Sequence, residues 1–273
     1  NLDKSALHLR PANTEIWKGF IFVNPDPSPA RTFIEHLEGL AEQMDPYPFH
    51  DMKRVSHYTA DVKCNWKVFI DAFQESLHVP YVHNGILSDA YCGKGNPGCR
   101  ATSFRLYGLN RSHSPRRNRH YTPSPAQKLA YKYALNFSGA AETDIESSPG
   151  GYPGINPSGD PDVAFDVNVI FPNSFIDVGA GWYFTYEFWP LAVDETHWEV
   201  NLYVAEPQSA AQKVAQSLIV VEFRDGLRED LTTLEATQQG LMSGAIKELH
   251  FSDQELLCRH QYQVVDDIVR ADT

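Results

Sequence analysis

An antiparallel sheet gripping one long helix, an α+β fold, is what this sequence predicts from three observations. First, apolar residues between 165 and 205 recur at every second position: Val167, Val169 and Phe171, then Trp182, Phe184, Tyr186 and Phe188, then Trp198, Val200, Leu202 and Val204. That period belongs to strands with one apolar face. Second, Pro172, Asn173, Gly179, Gly181, Pro190 and Asp194 punctuate these runs with turn chemistry. Third, the chain from Gln208 to about Ser243 changes to helical spacing, with a stripe of Leu227, Leu231, Leu234 and Leu241 and a possible interruption at Gly226. Together they describe a helix-grip (START-like) arrangement.

Taken in order, Ile16 to Asn24 reads as a strand closed by Pro25, Asp26 and Pro27. Arg31 to Met44 reads as a helix ended by Pro46 and Pro48. Asn65 is placed to cap a helix whose Trp66, Phe69, Ile70, Phe73 and Leu77 share one face, while Asp71, Glu75 and His78 share the other. Glu75 and His78, three residues apart, then sit side by side. Pro80 is expected to stop this helix, so that His83 follows a bend and converges with His78. From Cys92 to Pro161 periodicity is weak apart from Phe104 to Leu109. One helix is expected over Ala126 to Phe137, with Leu129, Tyr133 and Phe137 on one side, and long loops elsewhere.

Composition narrows the function classes. The chain has 273 residues, and 42% are hydrophobic, enough for a sizeable core. A formal net charge of -12 excludes a general binder of nucleic acid or anionic membrane, which needs a positive footprint. No apolar run approaches the roughly 20 residues of a membrane-spanning helix. Cys64, Cys92, Cys99 and Cys258 are too scattered for a disulfide framework, which points to a reducing, cytoplasmic setting. Cys92 and Cys99 bracket a Gly-rich turn that reads as a plain loop. Arg111 to His120, RSHSPRRNRH, is the one basic cluster and reads as a solvated loop, with docking of an acidic ferredoxin or a carboxylated substrate as its other uses.

Two histidines near a helix end are by themselves as consistent with a surface role as with a metal. The wider pattern carries more: N-W-K-x7-Glu75-x2-His78-x4-His83 resembles the iron-binding segment of the large (alpha) subunits of Rieske non-haem iron oxygenases. Glu229-Asp230-x4-Glu235-x2-Gln238-x-Gly240-Leu241 resembles that family's C-terminal signature, and the W-x-G-F-x-F-V-N phrase at Trp17 to Asn24 resembles the exit from its cluster domain. The resemblance implies that His78, His83 and Asp230 ligate mononuclear Fe(II), and that Glu75 bridges toward the electron-donating cluster. It also implies residues 1–40 as the exit segment from an absent N-terminal Rieske domain and 41–273 as the catalytic domain. Electrons would come from a ferredoxin or flavin reductase through a [2Fe-2S] cluster on that absent domain. The subunits would form a homotrimer, with or without a beta subunit.

Departures bear on the reaction subtype. The bridging acid is Glu75 where Asp is frequent, and Phe73 and Leu77 stand where tyrosines are frequent. Cys258 and His260 form one Cys-x-His pair, with no Cys-x2-His to complete a cluster site. His57, His113, His197 and His250 receive no role. The expected reaction is hydroxylation, dihydroxylation or oxidative demethylation of an aromatic or other apolar small molecule, as in aromatic hydrocarbon catabolism. Its rivals are a helix-grip binding module without catalysis and a zinc hydrolase using Glu75 or Asp71 as base.

Overall fold

Seven antiparallel strands form the sheet that the period-two runs require, in the computed structural model, which describes residues 7, 11–84, 87–133 and 152–271. Their order is β3 (Met52–Val62), β9 (Glu195–Ala205), β8 (Trp182–Ala192), β7 (Ser174–Gly179), β6 (Val167–Ile170), β5 (Asn110–Ser114) and β4 (Ser103–Tyr107). The long helix α7 (Ala210–Met242) lies against one face. Ser209 caps it by accepting from Gln212 N–H. Gly226 does not interrupt it: the helix is continuous there, and the missing side chain makes room for Leu87, whose Cδ1 would stand 3.0 Å from an added Cβ. Phe184, Phe188, Trp198, Val200 and Leu202 of the sheet pack with Ile219, Phe223, Leu227 and Leu234 of α7 in the main core.

The sheet is apolar on both faces over part of its width, which the one-face expectation missed. Ile170, Ile176, Val178 and Tyr183 point away from α7 into a second core. The covering layer comes from the chain's beginning. Ile16 to Asn24 is a hairpin rather than one strand, β1 (Asn13–Trp17) and β2 (Phe20–Asn24), because Lys18 and Gly19 adopt positive φ at 52° and 91°. The expected helix over Arg31 to Met44 is two, α1 (Phe33–Leu37) and α2 (Gly39–Met44), broken where Glu38 takes φ 51°. Leu37, Leu40 and Met44 are fully buried there. The boundary drawn between 40 and 41 falls inside α2.

Further elements were not anticipated, the long strand β3 among them. The strand β7 was hidden between turn residues, and the amphipathic helix α8 (Leu256–Ala271) was not anticipated. Of the expected helix over Ala126 to Phe137, α6 (Pro125–Tyr131) forms, burying Ala130 while Leu129 is exposed; Phe137 lies outside the described residues. The basic cluster is a solvated loop only in its second half, where Arg116, Arg119 and His120 are exposed. Arg111 and His113 are interior residues of β5, and Asp162 pairs with both Arg116, at 2.5 Å, and Arg119.

Gly179 ends β7 under Trp182. A Cβ at Gly179 would stand 2.2 Å from two Trp182 ring carbons, and the Tyr47 hydroxyl, donating to the Gly179 carbonyl at 2.7 Å, holds the backbone in place. Neither side has slack, so Gly179→Ala is expected to cost about 2–3 kcal/mol by overpacking. Urea denaturation of the two proteins measures it; an unchanged midpoint would show that the strand end yields.

Candidate metal centre

The helix that Asn65 caps is shorter than its apolar spacing suggests. Asn65 accepts from Lys67 N–H and α3 covers Trp66–Phe73, ending at Gln74 rather than at Pro80. The cause lies at Glu75, whose carboxylate accepts from the backbone N–H groups of Leu77 and His78, the latter at 3.2 Å, and turns the chain. Pro80 sits at an early position of a separate short helix, α4 (Val79–Val82), where its missing N–H costs nothing. Glu75 and His78 therefore meet within a tight turn instead of along a helix face, and they do meet: Glu75 Oε1 lies 2.5 Å from His78 Nδ1. His83 follows α4 directly, and the two imidazole centroids are 5.2 Å apart.

Asp230 reaches this pair from α7. It is 6% exposed, and its Oδ1 stands 3.1 Å from His83 Nε2 and 3.6 Å from His78 Nε2. One ligand atom from each of the three side chains falls within 4.8 Å of the others. Ligand bonds of about 2.1 Å at angles near 90–110° would set neighbouring donor atoms roughly 3.0–3.4 Å apart, close to the two separations measured from Asp230. Two imidazoles and one carboxylate are the donors of facial-triad iron sites.

One contributor was misjudged from sequence. The spacing of the apolar stripe Leu227, Leu231, Leu234 and Leu241 points Glu229 outward with Asp225; instead its Oε2 lies 2.9 Å from His83 Nδ1. Each imidazole thus has a carboxylate at Nδ1, Glu75 for His78 and Glu229 for His83, which keeps the Nδ1 proton in place and aims Nε2 at the space shared with Asp230. Adjacent residues of α7 supply both Asp230 and Glu229, and helical position alone did not show that a side chain one step off the stripe could reach back. Burial opposes protonation of both histidines, but the Glu75 charge at His78 and the Asp230 hydrogen bond at His83 outweigh it, and both pKa values rise.

Asp71 is elsewhere. It accepts from Gln74 Nε2 at 2.8 Å on the side facing α8, and burial raises its pKa to about 6. With Asp71 turned away and both Glu75 oxygens engaged, neither is free to act as the base that the zinc-hydrolase reading needs. Cys258 is buried beside the Asp71 carbonyl at 3.8 Å, remote in role from any cluster site.

A cavity opens beside the triad, between α7 and the sheet. Counted out to its mouth, open space included, it spans about 670 Å³ between protein atoms. Phe73, Phe165, Phe184, Tyr186 and Phe223 give it aromatic walls, and His78, His83 and Asp230 stand on its rim of polar groups. His113 and Asp177 also line it, and sequence reading gave neither a role.

Comparison with known proteins agrees with this architecture. The carnitine monooxygenase oxygenase subunit of Escherichia coli (strain K12) is 33% identical over 87 residues, which span 31% of this chain and 23% of that protein. The chloroplastic choline monooxygenase of Beta vulgaris is 34% identical over 88 residues, 30% of this chain and 20% of that one. Among solved structures, a quaternary ammonium Rieske monooxygenase superposes with a TM-score of 0.68 at 17% identity, covering 97% of this chain and 64% of that one. Naphthalene 1,2-dioxygenase from Rhodococcus sp. superposes with a TM-score of 0.60 at 17% identity, over 87% and 56%. At such identities the structural likeness is one of fold, and the chain spans less than two thirds of these proteins. The family described as Ring hydroxylating alpha subunit (catalytic domain) matches residues 49–271, a span that holds both histidines, Asp230, the sheet and α7, and the chain belongs to that family as its catalytic domain.

Proposed function

We propose that this chain is the oxygen-activating part of a Rieske-type terminal oxygenase, with His78, His83 and Asp230 as ligands of a mononuclear Fe(II). The observation that carries this reading is the convergence of three ligand atoms within 4.8 Å, with a carboxylate behind each imidazole. Iron bound there would supply the redox centre at which O2 reacts. The protein's own part is to aim Nε2 of both imidazoles at one point, exclude water with aromatic walls, and seat an apolar or aromatic small molecule in the cavity for hydroxylation, dihydroxylation or oxidative demethylation.

In this reading Glu75 is the bridge for electrons, because its carboxylate touches His78 Nδ1 while its other oxygen is tied to the backbone of the same turn. The electrons would arrive from a [2Fe-2S] cluster on a Rieske domain, served by a ferredoxin or flavin reductase. A trimer would bring one subunit's cluster to its neighbour's iron, with residues 1–40 as the link between the two domains. A family member solved with reference to inter-subunit electron transfer supports that arrangement by analogy.

Metal analysis of protein purified without chelator tests the reading. Near-stoichiometric iron that His78→Ala abolishes is the expected result; a parent that cannot take up Fe(II) anaerobically would overturn it, and stable zinc would favour hydrolysis. Glu229→Gln keeps the side-chain shape and removes the charge behind His83. It is expected to lower Fe(II) affinity about 10–100-fold, the usual weight of an outer partner of a metal-bound histidine. Anaerobic competition against a coloured chelator reads this out, and unchanged affinity would show that Glu229 does not orient His83.

A further inference from the structure

The Gly-rich turn between Cys92 and Cys99 is more than a plain loop. Gly93 and Asn96 face each other as an antiparallel bridge, each N–H donating to the other's carbonyl, at 3.3 and 2.9 Å. Cys99 N–H donates to the Asn96 carbonyl at 3.2 Å. The Asn96 side chain clasps Arg100, accepting from its N–H at 2.9 Å and donating to its carbonyl at 3.1 Å. The other end is fixed as well: Cys92 N–H donates to the Ser88 carbonyl at 2.7 Å, and Asn118 Nδ2 donates to the Cys92 carbonyl at 2.9 Å. Folding back in this way brings the two side chains together, and the Cys99 thiol donates a hydrogen bond to the Cys92 sulfur.

The two thiols differ as an attacking and a resolving cysteine must. Cys92 is partly exposed, whereas Cys99 is buried, packs with Tyr91 and Ala164 against Phe165, and lines the cavity that also holds His78, His83 and Asp230. The Cys99 hydrogen bond, helped by the Ser88 side chain, outweighs burial and lowers the Cys92 pKa. At Cys99 the same bond and burial act together to keep the proton on sulfur. Because the thiolate is the nucleophile, Cys92 is the thiol that reacts first. Cys99 also adopts φ 50°, a left-handed conformation rare for a residue with a side chain, and the hydrogen bonds of the turn hold it there. The other two cysteines share none of this. Cys64 and Cys258 are buried, with their sulfurs against the carbonyls of Asn65 at 3.5 Å and Asp71 at 3.8 Å. Burial raises the pKa of both, that of Cys64 to about 12.

We propose that Cys92 and Cys99 are a peroxide-oxidised thiol pair, a reversible disulfide site built into the cavity wall and separate from the metal ligands. The Cys92 thiolate attacks one oxygen of hydrogen peroxide, the O–O bond breaks, and the leaving hydroxide takes up the proton that Cys92 had released. Sulfur has then given two electrons to the peroxide and is a sulfenic acid. The Cys99 sulfur attacks it: the S–S bond forms, the S–O bond breaks, and the hydroxyl leaves as water with the Cys99 proton. One peroxide becomes two waters and two thiols become one disulfide, which a thiol reductant reopens by exchange.

The reduced chain is exposed to hydrogen peroxide, remaining thiols are blocked with iodoacetamide, and the protein is digested with trypsin without reductant. Cleavage after Lys94 and Arg100 puts Cys92 and Cys99 on different peptides. The expected product is therefore a disulfide-linked pair of peptides that dithiothreitol separates. Cys92 is expected to lose its free thiol about tenfold or more faster than Cys64 or Cys258. In Cys99→Ser the bond cannot close, and dimedone is expected to trap Cys92 as the sulfenic acid; no adduct there would overturn Cys92 as the attacking thiol. Linked peptides absent while Cys92 stays open to alkylation, Cys92 driven to sulfinic acid in the parent while Cys99 remains a free thiol, or Cys64 and Cys258 oxidised as fast as Cys92 would each overturn the proposal.

Discussion

Asp230→Ala is expected to empty the metal centre while leaving the fold in place. Asp230 is the only one of the three proposed ligands that comes from α7, so its loss reduces the donor set to two imidazoles from one turn of chain. The effect on iron affinity should exceed the about 10–100-fold that outer partners carry. The fold should survive because the metal-free site holds three carboxylates, Glu75, Glu229 and Asp230, around two histidines, and removing one relieves like-charge repulsion. Metal content by mass spectrometry and a far-UV spectrum decide it together: iron retained at parental level in a folded Asp230→Ala protein would remove Asp230 from the ligand set. Iron uptake by the parent should also weaken as pH falls. Both histidine pKa values are raised in the metal-free protein, so below those values bound protons compete with the metal.

Arg111→Ala is expected to be the most destabilising single substitution outside the aromatic core. Arg111 is fully buried on β5, where its Nε donates to Gln74 Oε1 at 2.6 Å and its Nη2 donates to Gln261 Oε1. Gln74 in turn donates to Asp71 at 2.8 Å. One guanidinium therefore ties the end of α3, one residue before Glu75, to the sheet and to α8. Burial lowers its pKa, against the pull of Asp71, to about 10, so it stays cationic near neutrality. Truncation leaves the buried Gln74 amide oxygen unpaired, at about 1–3 kcal/mol, removes one of the two donors to Gln261 Oε1, which keeps Gln74 Nε2 at 3.1 Å, and opens a void. A loss of about 3–5 kcal/mol follows, in the range for breaking a buried charged network. Chemical denaturation of metal-free protein measures it; a loss under about 1 kcal/mol would mean that water replaces the guanidinium.

Local sequence carried a good part of this protein's design. Asn65 capped its helix, the runs through Trp182 and Trp198 formed strands, and the stretch after Gln208 formed one helix of 33 residues. The pairing of Glu75 with His78 and the approach of His83 were also legible, because each depends on residues within one short stretch. Asp230 was placed by resemblance, and the fold brought it to both histidines.

What the sequence could not decide are contacts between residues far apart in the chain. Glu229 and Asp230 differ by one step on α7, yet both reach the histidines, since the angle at which a helix docks is set by packing and not by its own spacing. Arg111 and His113 read as part of a basic surface loop because their neighbours Arg116, Arg117 and Arg119 are basic; strand pairing with β4 and β6 put them inside. Asp177 drew no reading from sequence, and only strand register places it between Val167 and Phe184 on the cavity floor. Periodicity reports which face of an element is buried, whereas the identity of what it is buried against is a property of the tertiary fold.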